Sequence, residues 1–118
     1  MTASSHSNTA RNLAQVVENI DVIEAYVAGL EESAFLADAK TRDAVERCLQ
    51  RLIEALDRIR KRGDENIIPG LPWTGIQGLG NRLRHEYDAI DGVQIWAIVK
   101  EDLPSLKTAA LKALKGFG

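Results

Sequence analysis

Leu13, Val16, Val17, Ile20, Ile23, Val27 and Leu30 recur at steps of three and four residues. That spacing marks one face of an α-helix, and a run this long describes about six turns. Glu18, Asp21 and Glu24 fall between them, on the wet side of the same helix. Val45, Cys48, Leu49, Leu52, Leu56 and Ile59 repeat the pattern in a second long stripe. No segment alternates apolar and polar residues long enough to make a strand. Two apolar stripes of this length must bury each other. The expected fold is therefore all-α: an antiparallel helical bundle in which two long helices pack against shorter ones.

The punctuation between the stripes supports that reading. Asn8 or Thr9 is placed to cap the first helix. Residues 29–40 hold a break and a short connection, with Phe35 and Leu36 tucked against the core. Thr41 is a good N-cap for the second long helix, and Asp43 sits in its first turn, where the helix dipole favours a carboxylate. Glu54 and Arg58 are four apart, in the favourable order for a surface pair. The helix ends in RIRKRG, with cations in its last turn and Gly63 as C-cap. Cys48 lies on the apolar stripe and reads as a small buried hydrophobe rather than a reactive thiol.

GDENIIPGLPW is a loop, because its two prolines and two glycines forbid a continuous helix. Its Ile67, Ile68, Leu71 and Trp73 either fold back on the bundle or meet a second copy. Ile76, Leu79 and Leu83 carry a third, shorter helix toward His85. Asp91 with Gln94 resembles a capping box for a fourth helix. Val93, Ile95, Trp96, Ile98, Val99 and Leu103 surround that helix on most sides, which predicts that it is largely buried. Pro104 opens the last helix in the permitted first turn, followed by Leu106, Ala110, Ala113, Leu114 and Phe117.

Composition narrows the function classes. A length of 118 residues is one domain of ordinary size. Residues 1–8 are small and polar and read as a disordered N-terminus, leaving 9–118 as a single helical domain. No window approaches the ~18 consecutive apolar residues that a membrane span requires. Cys48 is the lone cysteine and cannot pair within the chain, which with no export signal points to the reducing cytoplasm. The net charge of −2 excludes a bulk nucleic-acid binder, so any contact with nucleic acid must be local.

One polar cluster stands out. Asn81, Arg82, Arg84, His85, Glu86, Tyr87, Asp88 and Asp91 crowd into residues 81–91. On a helix Asn81 and Arg82 precede His85 by four and three residues and share its face. Histidine takes and gives a proton near neutral pH. An adjacent arginine holds a phosphate through a forked pair of hydrogen bonds and stabilises its extra charge in a transition state. The two together suffice to cleave RNA without a metal, because the 2′-hydroxyl is the nucleophile. The alternative is plainer: Arg82, Glu86 and Asp88 form surface ion pairs and His85 is a packed or capping residue. One histidine without a cysteine partner lacks the ligands for a metal site.

The segment PWTGIQGLGNRLRHEYDAID, followed by VQIWAIVKEDLPSLK, closely resembles the HepT-like branch of the HEPN proteins. FLADAKTRDAVERCLQRLIEAL matches the same branch in layout, so the resemblance covers about residues 10–115. It implies a four- or five-helix bundle that dimerises, with the motifs in a cleft between protomers. It also implies the toxin half of a toxin–antitoxin pair: a metal-independent endoribonuclease, needing no cofactor, whose antitoxin is a nucleotidyltransferase. The resemblance maps the family's histidine onto His85 and its polar residue onto Asn81; Arg82 completes the candidate catalytic set, with Arg82 or Arg84 on the RNA phosphate in place of the family's own arginine. Tyr87 is the implied acceptor of the AMP that silences the toxin. One position departs from the pattern. Five residues before His85 the family places an arginine, and this chain has Gly80. Losing such a donor costs ~10²–10³ in rate. Gly80 therefore also fits an inactive binding module that docks the nucleotidyltransferase.

Overall fold

A computed structural model describes residues 3–68, 78, 80 and 92–117. Their elements are α1 (Ala3–Val27), α2 (Glu32–Ala37), α3 (Ala39–Lys61), a 3₁₀ turn (Glu65–Ile67), α4 (Gly92–Ala97), a π turn (Ile98–Asp102) and α5 (Leu103–Lys115). The fold is all-α, with no strand among the described residues.

The two long stripes meet as their period requires. Leu13, Val16, Ile20, Ile23 and Val27 of α1 are buried against Val45, Leu49, Leu52, Leu56 and Ile59 of α3. Each such side chain contributes about 1.5–3 kcal/mol when fully withdrawn from water. The helices run antiparallel, as their polar contacts show. Near one end the Thr9 hydroxyl donates to Asp64 Oδ2 at 2.6 Å. One turn further along α1, Arg58 Nε donates to Asn12 Oδ1 at 2.9 Å and Nη2 to Gln15 Oε1 at 2.8 Å. On the other flank α5 packs on α1, where Lys107 Nζ reaches Asp21 Oδ1 at 2.7 Å and Glu24 Oε1 at 3.1 Å. These two carboxylates hold the Lys107 ammonium above its usual range.

Several local features differ from the sequence expectations. Asn8 and Thr9 do not begin the first helix, which is already helical from Ala3; Thr9 ties α1 to Asp64 instead. The connection over 29–40 contains α2, whose Phe35 is fully buried and whose Leu36 is half-buried. Asp38, not Thr41, caps α3: its carboxylate accepts from Thr41 N at 3.2 Å and from Thr41 Oγ1 at 2.7 Å. Both bonds favour the ionised form and hold Asp38 below the usual carboxylate range. At the other end Arg62 is the C-cap and Gly63 follows with φ of 80°, a left-handed backbone that glycine adopts without a Cβ clash. Gly63 N bonds Arg60 O at 2.9 Å and Asp64 N bonds Ile59 O at 3.2 Å, the paired bonds of a Schellman motif.

The fourth helix is buried along one side only: Ile95, Val99 and Leu103 are buried, whereas Val93 is 52% exposed. Pro104 stands in the first turn of α5, as expected. Proline has no N–H for the Lys100 carbonyl, and the π turn joins α4 to α5, with Leu103 N bonding Ile98 O. Of the loop hydrophobics, Ile68 is buried in the core and Ile67 packs half-buried against it, so both fold back on the bundle. Leu71, Trp73 and the proposed Asp91 cap lie outside the described residues.

Cys48 is 3% exposed, and burial pushes its thiol up while the Arg51 charge pulls slightly the other way. A buried thiol reacts only when the core opens. Native protein at pH 8 is expected to react with a disulfide reagent roughly a hundredfold more slowly than urea-unfolded protein, as followed by absorbance. Equal rates would show that Cys48 is not part of the core.

Candidate functional site

The residues singled out from the sequence, Asn81, Arg82, Arg84, His85 and Tyr87, lie in 81–91, outside the described residues. Their flanks are described. Gly78 and Gly80 both have helical backbone, and Gly80 is buried. The position where the family pattern places an arginine is thus an enclosed site on a helix. At the other end of the segment, Gly92 opens α4 against α2 and α3. A Cβ on Gly92 would fall 2.6 Å from Leu36 Cδ2 and 3.2 Å from Arg42 Cδ. Any larger residue here would push the Leu36 and Arg42 side chains aside.

That anchorage is reinforced one turn later. The Trp96 ring lies 5.2 Å from Phe35, tilted by 40°, and Lys100 Nζ sits 4.8 Å above the Trp96 ring centre. α2 and the start of α3 therefore form the floor on which α4 begins. Arg42 belongs to this floor, and its Nε is enclosed without a hydrogen-bond acceptor. Four residues on, burial pushes the Glu46 carboxyl up, Asp43 adds to the shift, and Arg42 opposes it.

A second polar region lies on the opposite flank of α3. An open groove of ≈ 280 Å³ between α1 and α3 is lined by Gln15, Glu18, Asn19, Arg51, Glu54 and Arg58. The expected Glu54–Arg58 ion pair is not made, because Arg58 turns across the groove to Asn12 and Gln15. Sequence reading passed over this groove. Its signal was the spacing of Arg47, Arg51, Arg58 and Arg62, which repeats the step of one helix face. Among the described residues no group of three or more His, Cys, Asp or Glu side chains is poised to hold a metal ion, and no helix is long and apolar enough to cross a membrane.

Comparison with known proteins gives the fold and the polar segment a context. Residues 16–113 match the family described as "Ribonuclease HepT-like". The chain is 35% identical over 95 residues to "Probable ribonuclease HepT" of Thermococcus cleftensis, covering 80% of this chain and 86% of that protein. It is 38% identical over 87 residues to "Putative RNase MJ1380" of Methanocaldococcus jannaschii, covering 74% of this chain and 78% of that protein. No solved structure matches the chain.

Proposed function

The chain belongs to the HepT-like ribonuclease family, and on that premise we propose that it is a metal-independent endoribonuclease, the toxin of a toxin–antitoxin pair. One observation carries the reading: the family match over 16–113 encloses the whole polar segment, with His85 and Tyr87 in their motif spacing. In this reading His85 removes the proton from a ribose 2′-hydroxyl as its oxygen attacks the adjacent phosphorus. The bond to the 5′-oxygen breaks, and an imidazolium returns a proton to that leaving group. The products are a 2′,3′-cyclic phosphate and a 5′-hydroxyl. Arg82 and Arg84 hold the phosphate and offset its growing charge, and Asn81 orients it. Two protomers place their segments across one cleft, so each phosphate meets groups from both. A nucleotidyltransferase antitoxin transfers AMP to Tyr87, adding a phosphate charge and a bulky base beside His85.

Gly80 favours a second reading. Glycine carries no guanidinium, and its place on the helix is buried. A protein lacking that donor serves as a binding module that docks the nucleotidyltransferase. Purified protein is to be incubated with end-labelled RNA in EDTA, beside Gly80→Arg. The ribonuclease reading expects cyclic-phosphate ends from the wild type and cleavage up to about 10²-fold faster from Gly80→Arg. If neither protein cuts, the ribonuclease reading fails. A mass gain of AMP at Tyr87, with transferase and ATP supplied, then supports the module.

A further inference from the structure

The net charge of −2 hides a segregation. α3 carries seven cations, Lys40, Arg42, Arg47, Arg51, Arg58, Arg60 and Lys61, against the four carboxylates Asp43, Glu46, Glu54 and Asp57. They are not spread evenly around the helix. With 3.6 residues per turn, Lys40, Arg47, Arg51, Arg58 and the C-cap Arg62 fall within about 60° of one another, in a line about 33 Å long. All five are exposed. Among the described residues none of the five takes part in an ion pair: Arg47 bonds the neutral amide of Gln50 and Arg58 those of Asn12 and Gln15. By contrast Arg60, on the far side of the helix, and Lys61, at the margin of the line, share the Asp57 carboxylate.

Arg58 is held in place by two neutral acceptors and makes no ion pair among the described residues. That is the state of a guanidinium ready for an anion. Arg51 and Arg58 line the groove with α1, together with Gln15 and Asn19 and the two carboxylates Glu18 and Glu54. The α1 side adds an aromatic ring. Tyr26 follows Asn19 by seven residues and Gln15 by eleven, which keeps it on the same face of α1. It is 47% exposed. Thr9 stands opposite Asp64 and Gln15 opposite Arg58, and continuing that antiparallel register brings Tyr26 level with Arg47.

We propose that the α1–α3 groove is a track for single-stranded RNA, with the phosphodiester chain along Arg47, Arg51, Arg58 and Arg62 and a base stacked on Tyr26. A line of cations beside an exposed aromatic is how proteins grip single strands without reading their sequence. The forked guanidinium suits phosphate oxygens on every nucleotide, and the ring suits any base. Glu18 and Glu54 keep the grip weak at two points, which leaves the strand free to slide. The identity of the ligand as RNA rests on the ribonuclease reading above; the track is built from α1 and α3 rather than from residues 81–91, and it holds the strand rather than cutting it.

The test uses full-length His85→Ala protein, which leaves the strand uncut, and a fluorescein-labelled 20-nucleotide oligouridylate followed by anisotropy. Adding Arg47→Gln and Arg51→Gln is expected to lower the slope of log K against log salt by about 1.4, or roughly 25-fold in affinity at 0.1 M salt. Adding Tyr26→Ala instead is expected to weaken binding between several-fold and about a hundredfold with the slope unchanged, the mark of stacking rather than charge. Lys112→Gln, exposed on α5 rather than α3, is the control for diffuse charge and for folding. Equal loss per charge from Lys112→Gln, or unchanged binding in the arginine and tyrosine variants, overturns the track. So does a change in sedimentation of the arginine variants with RNA binding intact, which makes the face a contact between copies, or with binding gained only for an acidic protein. If wild-type protein binds through these residues yet never cuts, the ribonuclease reading fails and the track stands.

Discussion

Replacing Phe35 with alanine is expected to cost about 3–5 kcal/mol, a large part of the roughly 5–15 kcal/mol that holds an ordinary domain together. Phe35 is fully buried, and its ring rests 5.2 Å from Trp96. It sits on α2, which has only six residues and no side-chain cap bond at its start. Such a helix is not stable by itself and exists because its apolar side is packed. Removing the ring takes away that packing and leaves a cavity that the neighbouring turns fill poorly. The damage reaches function as well. Leu36 is the neighbour against which Gly92 closes, so loosening α2 loosens the point where the 81–91 segment joins α4. Urea unfolding followed by circular dichroism measures the cost, and the melting temperature should fall by about 15 °C. A cost below about 1 kcal/mol would show that α2 does not hold α4 in place, since surface changes fall in that range.

The long helices were legible because burial enforces period. Ile20 and Ile23 on α1, or Leu52 and Leu56 on α3, have one dry side to occupy, and their spacing says which. α2 was not legible, because six residues are too few to show a period and its one decisive side chain, Phe35, is a tertiary anchor. The α3 cap was displaced by one turn for a chemical reason. Asp38 and Thr41 are both capping residues, and they bond each other, so the carboxylate takes the cap and the hydroxyl becomes its donor. Glu54 and Arg58 had the right local spacing, but Asn12 is 7% exposed and its amide oxygen needs a donor. Leaving that acceptor empty costs more than an exposed ion pair returns, so Arg58 bonds Asn12. The arginine line was overlooked because net charge sums over the whole chain, whereas a ligand meets one face. For the polar segment the letters carried everything: His85, Arg82 and Tyr87 were readable as a pattern, and the described structure adds the buried helical Gly80 before them and the Gly92 contact after them.

His85→Ala is expected to lower RNA cleavage roughly 10³-fold while leaving the melting temperature and RNA affinity unchanged. The size follows from the role. If His85 moves the proton at both the attacking and the leaving oxygen, its removal leaves only phosphate neutralisation by Arg82 and Arg84, and general acid–base help is worth about 10²–10⁴ in rate. The pH profile separates this role from a structural one. Cleavage by the wild type should rise and fall around neutral pH, because the proposed mechanism needs a neutral imidazole to take a proton and an imidazolium to return one. His85→Ala should leave a shallow residue with neither limb. Tyr87→Phe provides the opposite case: it removes only the hydroxyl proposed to accept AMP, so cleavage should persist and the proposed silencing by a nucleotidyltransferase should be lost. Cleavage within tenfold of the wild type in His85→Ala, with both pH limbs intact, would remove His85 from the chemistry and return it to the role of a packed or capping residue.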